Sequence, residues 1–166
     1  MSNNYKELFK HYISLTKEYT LTESLKNSTS QTIEVLEKIT EPKASYSYQE
    51  DKWTIIQVLS HIIDTERIMS YRALRYARQD QTKLSGFDEN HYAAHAGTES
   101  RSINSLLEEF KALRTSTILL FNSFTNEMLT YSDNETGIGL TVDKLGRMIA
   151  GHSMHHCNIL TERYGV

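Results

Sequence analysis

The chain has one cysteine, Cys157, so no disulfide can form within it, and a reducing compartment, the cytoplasm, is the simplest expectation. It has one proline, Pro42, and seven glycines in 166 residues. A chain this poor in helix breakers favours long helices over many short strands. No apolar run approaches the roughly 20 residues a membrane-spanning helix needs, so no membrane partner is expected. The segment Met1–Lys10 also lacks the apolar centre of a signal peptide. Neither sign of charge dominates: 18 basic residues stand against 21 acidic ones, for a formal net charge of -3. Without a basic run or tail, nucleic acid is not an expected partner. There is no internal repeat, low-complexity linker or shift in composition, and the length suits one domain, 1–166, with a real core.

What the chain does have is apolar residues at steps of three and four. Tyr5, Leu8, Phe9, Tyr12, Leu15 and Tyr19 predict a first amphipathic helix. A second begins near Thr20, where Thr20 and Glu23 have capping-box spacing, and ends before Pro42. Glu41 to Lys52 reads as a loop with Tyr46 and Tyr48 as anchors. The third helix is capped by Thr54 with Gln57 three residues on, and Trp53 and Val58 are spaced as a hydrophobic staple. It carries Ile55, Val58, Leu59, Ile62 and Met69 on one face and runs to about Arg78. A polar segment from Gln79 to Arg101, long enough to carry function or to pack as an ordered loop, precedes a fourth helix starting near Ser102. There Leu106, Phe110, Leu113, Thr117, Leu120 and Phe124 keep the period. Asn126 to Leu140, with Asn134, Gly137 and Gly139, reads as a loop, and a last helix spans Thr141 to Tyr164 and Gly165. Helices of this length joined by loops imply an all-α antiparallel bundle.

Three of the seven histidines crowd into the last helix. At about 100° per residue, His152 and His156 fall inside the stripe of Val142, Leu145, Met148, Ile149, Ile159 and Leu160, while His155 lies near its edge. Two imidazoles on a core-facing stripe need partners, because an unpaired buried polar group costs about 1–3 kcal/mol. Hydrogen bonds within the core would satisfy them separately. Alternatively, residues at i and i+4, with Cβ atoms about 6 Å apart, can converge on one metal ion. His61, at the margin of the apolar face of the third helix, is the natural third ligand, with Asp64 and Thr65 one turn further on. His11 falls on an exposed face, and His91 and His95 share i,i+4 spacing but sit in the polar segment without an apolar stripe.

At two segments the sequence resembles the DinB-like, or YfiT-like, superfamily of bacterial metalloproteins. One is Lys52-Trp53-Thr54 followed by His61-Ile62-Ile63-Asp64-Thr65-Glu66-Arg67 and Tyr71-Arg72-Ala73-Leu74-Arg75; the other is Gly151-His152-Ser153-Met154-His155-His156 continuing to Ile159-Leu160. Gly86-Phe87-Asp88-Glu89 and Glu109-Phe110 also match one branch. The resemblance runs from about Tyr12 onward and implies a four-helix bundle in an up-down-down-up arrangement. To the antiparallel picture it adds a long crossover, Gln79 to Arg101, with the N-terminal helix as an extra element. It implies a divalent metal, nickel or zinc, held by His61, His152 and His156, and often a homodimer; it implies no DNA binding. Ser60 stands where a glycine often precedes the first histidine, and Cys157 where a larger apolar residue is common; neither change removes a ligand.

Three histidines leave a coordination position open, as catalytic sites do and closed structural sites do not. Some relatives transfer a low-molecular-weight thiol to an electrophile, and the resemblance extends that expectation to this chain. A non-enzymatic metal-binding or stress-response role and metal-dependent hydrolysis are the alternatives. An apolar pocket over the metal would favour small electrophiles, and a polar, open one hydrolysis. Asp64 and Glu66 are candidate carboxylates near the ligands, although Glu66 projects well away from His61 and reads as readily as an exposed helix charge. His155 is expected at the rim, and Cys157 as a packing residue.

Overall fold

A computed structural model describes residues 3–132 and 139–166. The chain is all-α. Four long helices form the bundle: α2 (Leu21–Glu37), α3 (Ile55–Ala77), α5 (Ile103–Asn122) and α7 (Val142–Tyr164), preceded by α1 (Asn3–Ser14). Two short helices, α4 (Glu89–Ala94) and α6 (Asn126–Thr130), lie in the connections. No strand occurs among the described residues, only an isolated bridge between Ser132 and Thr141.

The helix starts lie where the side chains cap them. Thr20 with Glu23, and Thr54 with Gln57, form reciprocal capping boxes. Ser102 and Thr141 accept from the backbone N–H groups of Ser105 and Lys144. At the other end of α7, Gly165 takes the left-handed conformation at φ +67°, which a glycine adopts without strain.

Side-chain pairs give the helix directions. Gln31 bonds Asn158 and Leu21 lies against Gly146, so α2 and α7 run parallel. The Tyr164 hydroxyl donates to the carbonyl of Trp53, just ahead of α3, while His61 meets His152, so α3 opposes α7. Arg67 bonds Glu109 and Ser70 meets Thr117, so α3 and α5 run parallel. The arrangement is therefore up-down-down-up. Helices α2 and α3 each pack against α5 and α7, and α1 packs on α7. Two parallel helices in succession need a long return, which is why residues 78–102 cross the length of the bundle.

The expected loops hold more structure than periodicity revealed. Asp88 caps α4 inside the crossover, and Thr125 caps α6 in the segment read as a loop. Helices of five or six residues are too short to show a repeat. Asn134 and Gly137 lie outside the described residues. The fourth helix stops at Asn122, so Phe124 is buried from a position just beyond it.

Two apolar clusters make the core. One contains Leu36, Ile55, Leu59, Leu106, Phe110 and Leu160. The other contains Leu25, Met69, Ala73, Phe121, Leu145 and Ile149. At one level between them, each bundle helix buries polar side chains: Ser28 and Thr32, His61, Thr65 and Glu66, Arg114 and Thr117, His152 and Ser153. This buried polar belt overturns the simpler reading of Glu66 as an exposed charge, since Glu66 is 2% exposed and paired with Arg114. Helix α3 packs against both α5 and α7, so its buried face is broad enough to take in His61 and Glu66 together.

Candidate metal centre

Within the belt, three imidazoles meet. The capping box at Thr54 sets the start of α3 and hence the direction of His61 seven residues later. On α7, His152 and His156 stand one turn apart. The Nε2 atom of His152 is 2.9 Å from that of His61 and 3.1 Å from that of His156. Among the described residues, the donor atoms of these three lie within 4.8 Å of one another in a group able to hold a metal ion. The structure thus brings together the three histidines that the sequence singled out.

Burial lowers the pKa of all three. His61 falls to about 4 for this reason. His152 lies well below the ordinary value through burial first and then its neighbours His156 and His61. His156 does so through burial, then His61 and His155. At neutral pH the set is therefore uncharged, the form of imidazole that binds metals. His152 Nε2 carries either one N–H or one lone pair, so it makes one good hydrogen bond to the two nitrogens that face it, and mutual hydrogen bonding cannot satisfy the trio. Imidazole nitrogens 2.0–2.1 Å from a shared ion at tetrahedral angles stand about 3.3 Å apart, close to the two separations measured at His152. The donor set fits a divalent ion.

The rings are held on their outer sides. Trp53 lies 4.7 Å from His61, centroid to centroid, and Tyr12 meets His152 edge-on at 5.3 Å. Tyr12 reaches His152 because Gly151 lets α1 come close: a Cβ there would lie 1.9 Å from the Tyr12 carbonyl oxygen.

The remaining candidates separate from the trio. His11 is exposed, as its face predicts, and its Nε2 lies 3.3 Å from His155 Nδ1. His91 and His95 sit ring to ring at 4.2 Å on α4 and its C-terminal cap, both exposed. Cys157 is wholly buried, its thiol donates to Thr32 Oγ1, and burial raises its pKa. Asp64 is half-buried, 3.8 Å from Arg67, with its pKa raised by burial.

The histidines line a cavity of about 400 Å³, within the size range of small-molecule sites. Its walls are largely apolar: Phe9 and Tyr12 from α1, Trp53, Met69 from α3, Phe87 from the crossover and Met148 from α7. Thr65 and Arg72 also line it. Sequence reasoning gave neither a role, although both continue the face of His61 along α3 at i+4 and i+11. Thr65 is 3% exposed, and its hydroxyl has no hydrogen-bond partner.

A family model described as the DinB superfamily matches residues 24–160. Among solved structures, the chain is similar to YfiT from Bacillus subtilis, described as a probable metal-dependent hydrolase with an unusual four-helix bundle topology. The TM-score is 0.74 at 16% sequence identity, over 99% of this chain and 90% of that one. No curated protein matches. Helix α1, which supplies part of the cavity wall, precedes the span matched by the family model.

Proposed function

Because the chain belongs to the DinB superfamily, we propose that it holds one divalent ion, nickel or zinc, on the Nε2 atoms of His61, His152 and His156, and that it transfers a low-molecular-weight thiol to an electrophile. When bound, such an ion supplies an open Lewis-acid position that lowers the pKa of a thiol or of water. The chain does the rest. The neutral imidazoles offer three nitrogens without a competing proton. The Thr65 hydroxyl can exchange a hydrogen bond with whatever lies beside the trio. The thiol gives its proton to solvent water, its sulfur bonds to the electrophilic carbon, and the leaving group departs with the electron pair of the broken bond.

The observation favouring thiol transfer is the apolar wall of Phe9, Tyr12, Trp53, Met69, Phe87 and Met148 around the three nitrogens. Such a wall keeps water scarce and suits a small apolar electrophile. Metal-dependent hydrolysis is the second reading, favoured by the likeness to YfiT. Incubating metal-loaded protein with a panel of bacterial thiols and electrophiles, beside a panel of esters and amides, separates the two. Thiol-dependent product is expected. Ester or amide cleavage that needs the metal and ignores every thiol establishes the hydrolase instead. Bound metal with no turnover on either panel leaves a non-enzymatic metal-binding role. We also propose a homodimer, as the superfamily resemblance implies; light scattering at micromolar concentration should give twice the chain mass, and a monomer mass at every concentration refutes it.

A further inference from the structure

The cavity that reaches the three histidines also contains a cation. Arg72 lines it, and among the described residues no carboxylate pairs with its guanidinium. Arg72 donates to the carbonyl of Ser85 at 2.9 Å and touches the Met69 sulfur at 3.9 Å. Those contacts hold the side chain over the crossover and leave most of its five N–H donors without a strong acceptor. By contrast, the other arginine of comparable importance, Arg114, has every donor engaged by buried partners.

Distance along the helix sets a ruler. His61, Thr65, Met69 and Arg72 share one face of α3, and each line the cavity. At 1.5 Å per residue, Arg72 starts roughly 16 Å down the axis from His61. Its guanidinium leans back toward the turn of Met69, as the sulfur contact shows, which leaves roughly 12 Å of axis between the two ends. The space between is lined by apolar side chains and by the unpartnered hydroxyl of Thr65.

We propose that the cavity takes an elongated organic anion with an apolar body. Its acidic group binds the Arg72 guanidinium, its body lies along Met69, Phe9 and Phe87, and its far end reaches Thr65 and the histidines. The direction of the far end rests on the metal-site reading above; the anion anchor does not. Glu89 lines the same cavity and accepts from the Tyr5 hydroxyl at 3.5 Å, so it opposes a bound anion and lowers its affinity.

Octanoate and octanamide probe this, because they share a chain and differ in charge. Each is titrated calorimetrically into the full chain, as purified and after chelator treatment. Chelation removes the chance that a carboxylate binds metal, so a failure of the metal reading does not touch the result. In chelator-treated protein, octanoate should bind at least tenfold more tightly than octanamide. Arg72→Gln should abolish that preference while keeping octanamide binding, and Glu89→Gln should strengthen octanoate binding two- to threefold without affecting octanamide. Equal affinities in the unaltered chain overturn the proposal, as does a preference that survives Arg72→Gln. If Arg72→Gln does not fold, an octanoate affinity unchanged by Glu89→Gln overturns it.

Discussion

Two clusters share the buried polar belt, and they are built oppositely. Around Arg114 everything is closed. Its Nε and one terminal nitrogen bond both oxygens of Glu66 at 2.8–3.0 Å, and the other nitrogen bonds the Leu25 carbonyl and the hydroxyls of Ser28 and Thr29. Ser153 accepts one more N–H. One residue away on α7 the pattern reverses. The nitrogens of His61, His152 and His156 face one another with two of them competing for the single N–H or lone pair of His152 Nε2, beside a cavity and an unpartnered Thr65 hydroxyl. A buried polar cluster that satisfies itself is a strut, because leaving any member unpaired would be costly. One that faces a cavity unsatisfied is waiting for a ligand.

The sharpest way to break this contrast is to remove members from each side. Alanine at His61, His152 or His156 should leave the bundle folded and bring metal content close to zero by elemental analysis, since three protein ligands leave no redundancy. A variant that keeps its full metal shows that its histidine is not a ligand. Glu66→Ala should do the reverse. It strands a buried guanidinium, which costs about 3–5 kcal/mol, read as a lower midpoint in urea unfolding followed by circular dichroism. Replacing Glu66 and Arg114 together by Leu and Met should recover most of that loss, because an apolar pair of similar volume avoids burying charge. A double variant as unstable as Glu66→Ala contradicts the strut.

Acid should find the histidine side first. In chelator-treated protein His61 has a folded pKa of about 4, below the 6.5 of a free imidazole. The unfolded chain therefore takes up the proton first, and stability falls as the pH drops from 6.5 toward 4. For His61 alone the loss is at most about 3–4 kcal/mol. Unfolding curves at successive pH values should show the slope, and His61→Ala should flatten it. A slope identical in both proteins places the acid sensitivity elsewhere.

Gly151→Ala tests the outer wall. The added Cβ meets backbone, not a movable side chain, so α1 must shift, at a cost of about 1–3 kcal/mol. Faster proteolysis within residues 3–14 should accompany it; an unchanged cleavage rate shows that α1 absorbs the methyl in place. The smallest effect belongs to His155→Ala, which removes a contact with His11 on the exterior. It should retain its metal and change stability by less than about 0.5 kcal/mol. Loss of metal in this variant, with retention in His156→Ala, reverses the assignment of the two.

The sequence disclosed the two clusters unequally. His152 and His156 were legible because i,i+4 spacing on an apolar stripe is a local property of one helix. The helix starts at Thr20, Thr54, Ser102 and Thr141 were legible for the same reason. Arg114 was missed, although it falls on the face carrying Leu107, Phe110 and Phe121, because an arginine among apolar residues ordinarily reaches past them to water. Glu66 reads as readily as an exposed charge as a carboxylate near the ligands, because its direction, about 140° from His61, leads to solvent on a helix with one partner. On α3, which has two, it leads into the belt.

What the sequence determined by itself was therefore whatever repeats within a turn or two of helix: the all-α class, the helix starts, and the side of the last helix on which its histidines sit. Only the tertiary structure decided that His61 meets His152 across 91 residues, that Glu66 meets Arg114 across 48, and that α1 and the crossover wall a cavity over the trio. Hydrophobic periodicity states which face of a helix is buried, but not against which partner or at what height. That choice came from packing four helices in an up-down-down-up order, which brings one polar level from each to the same plane.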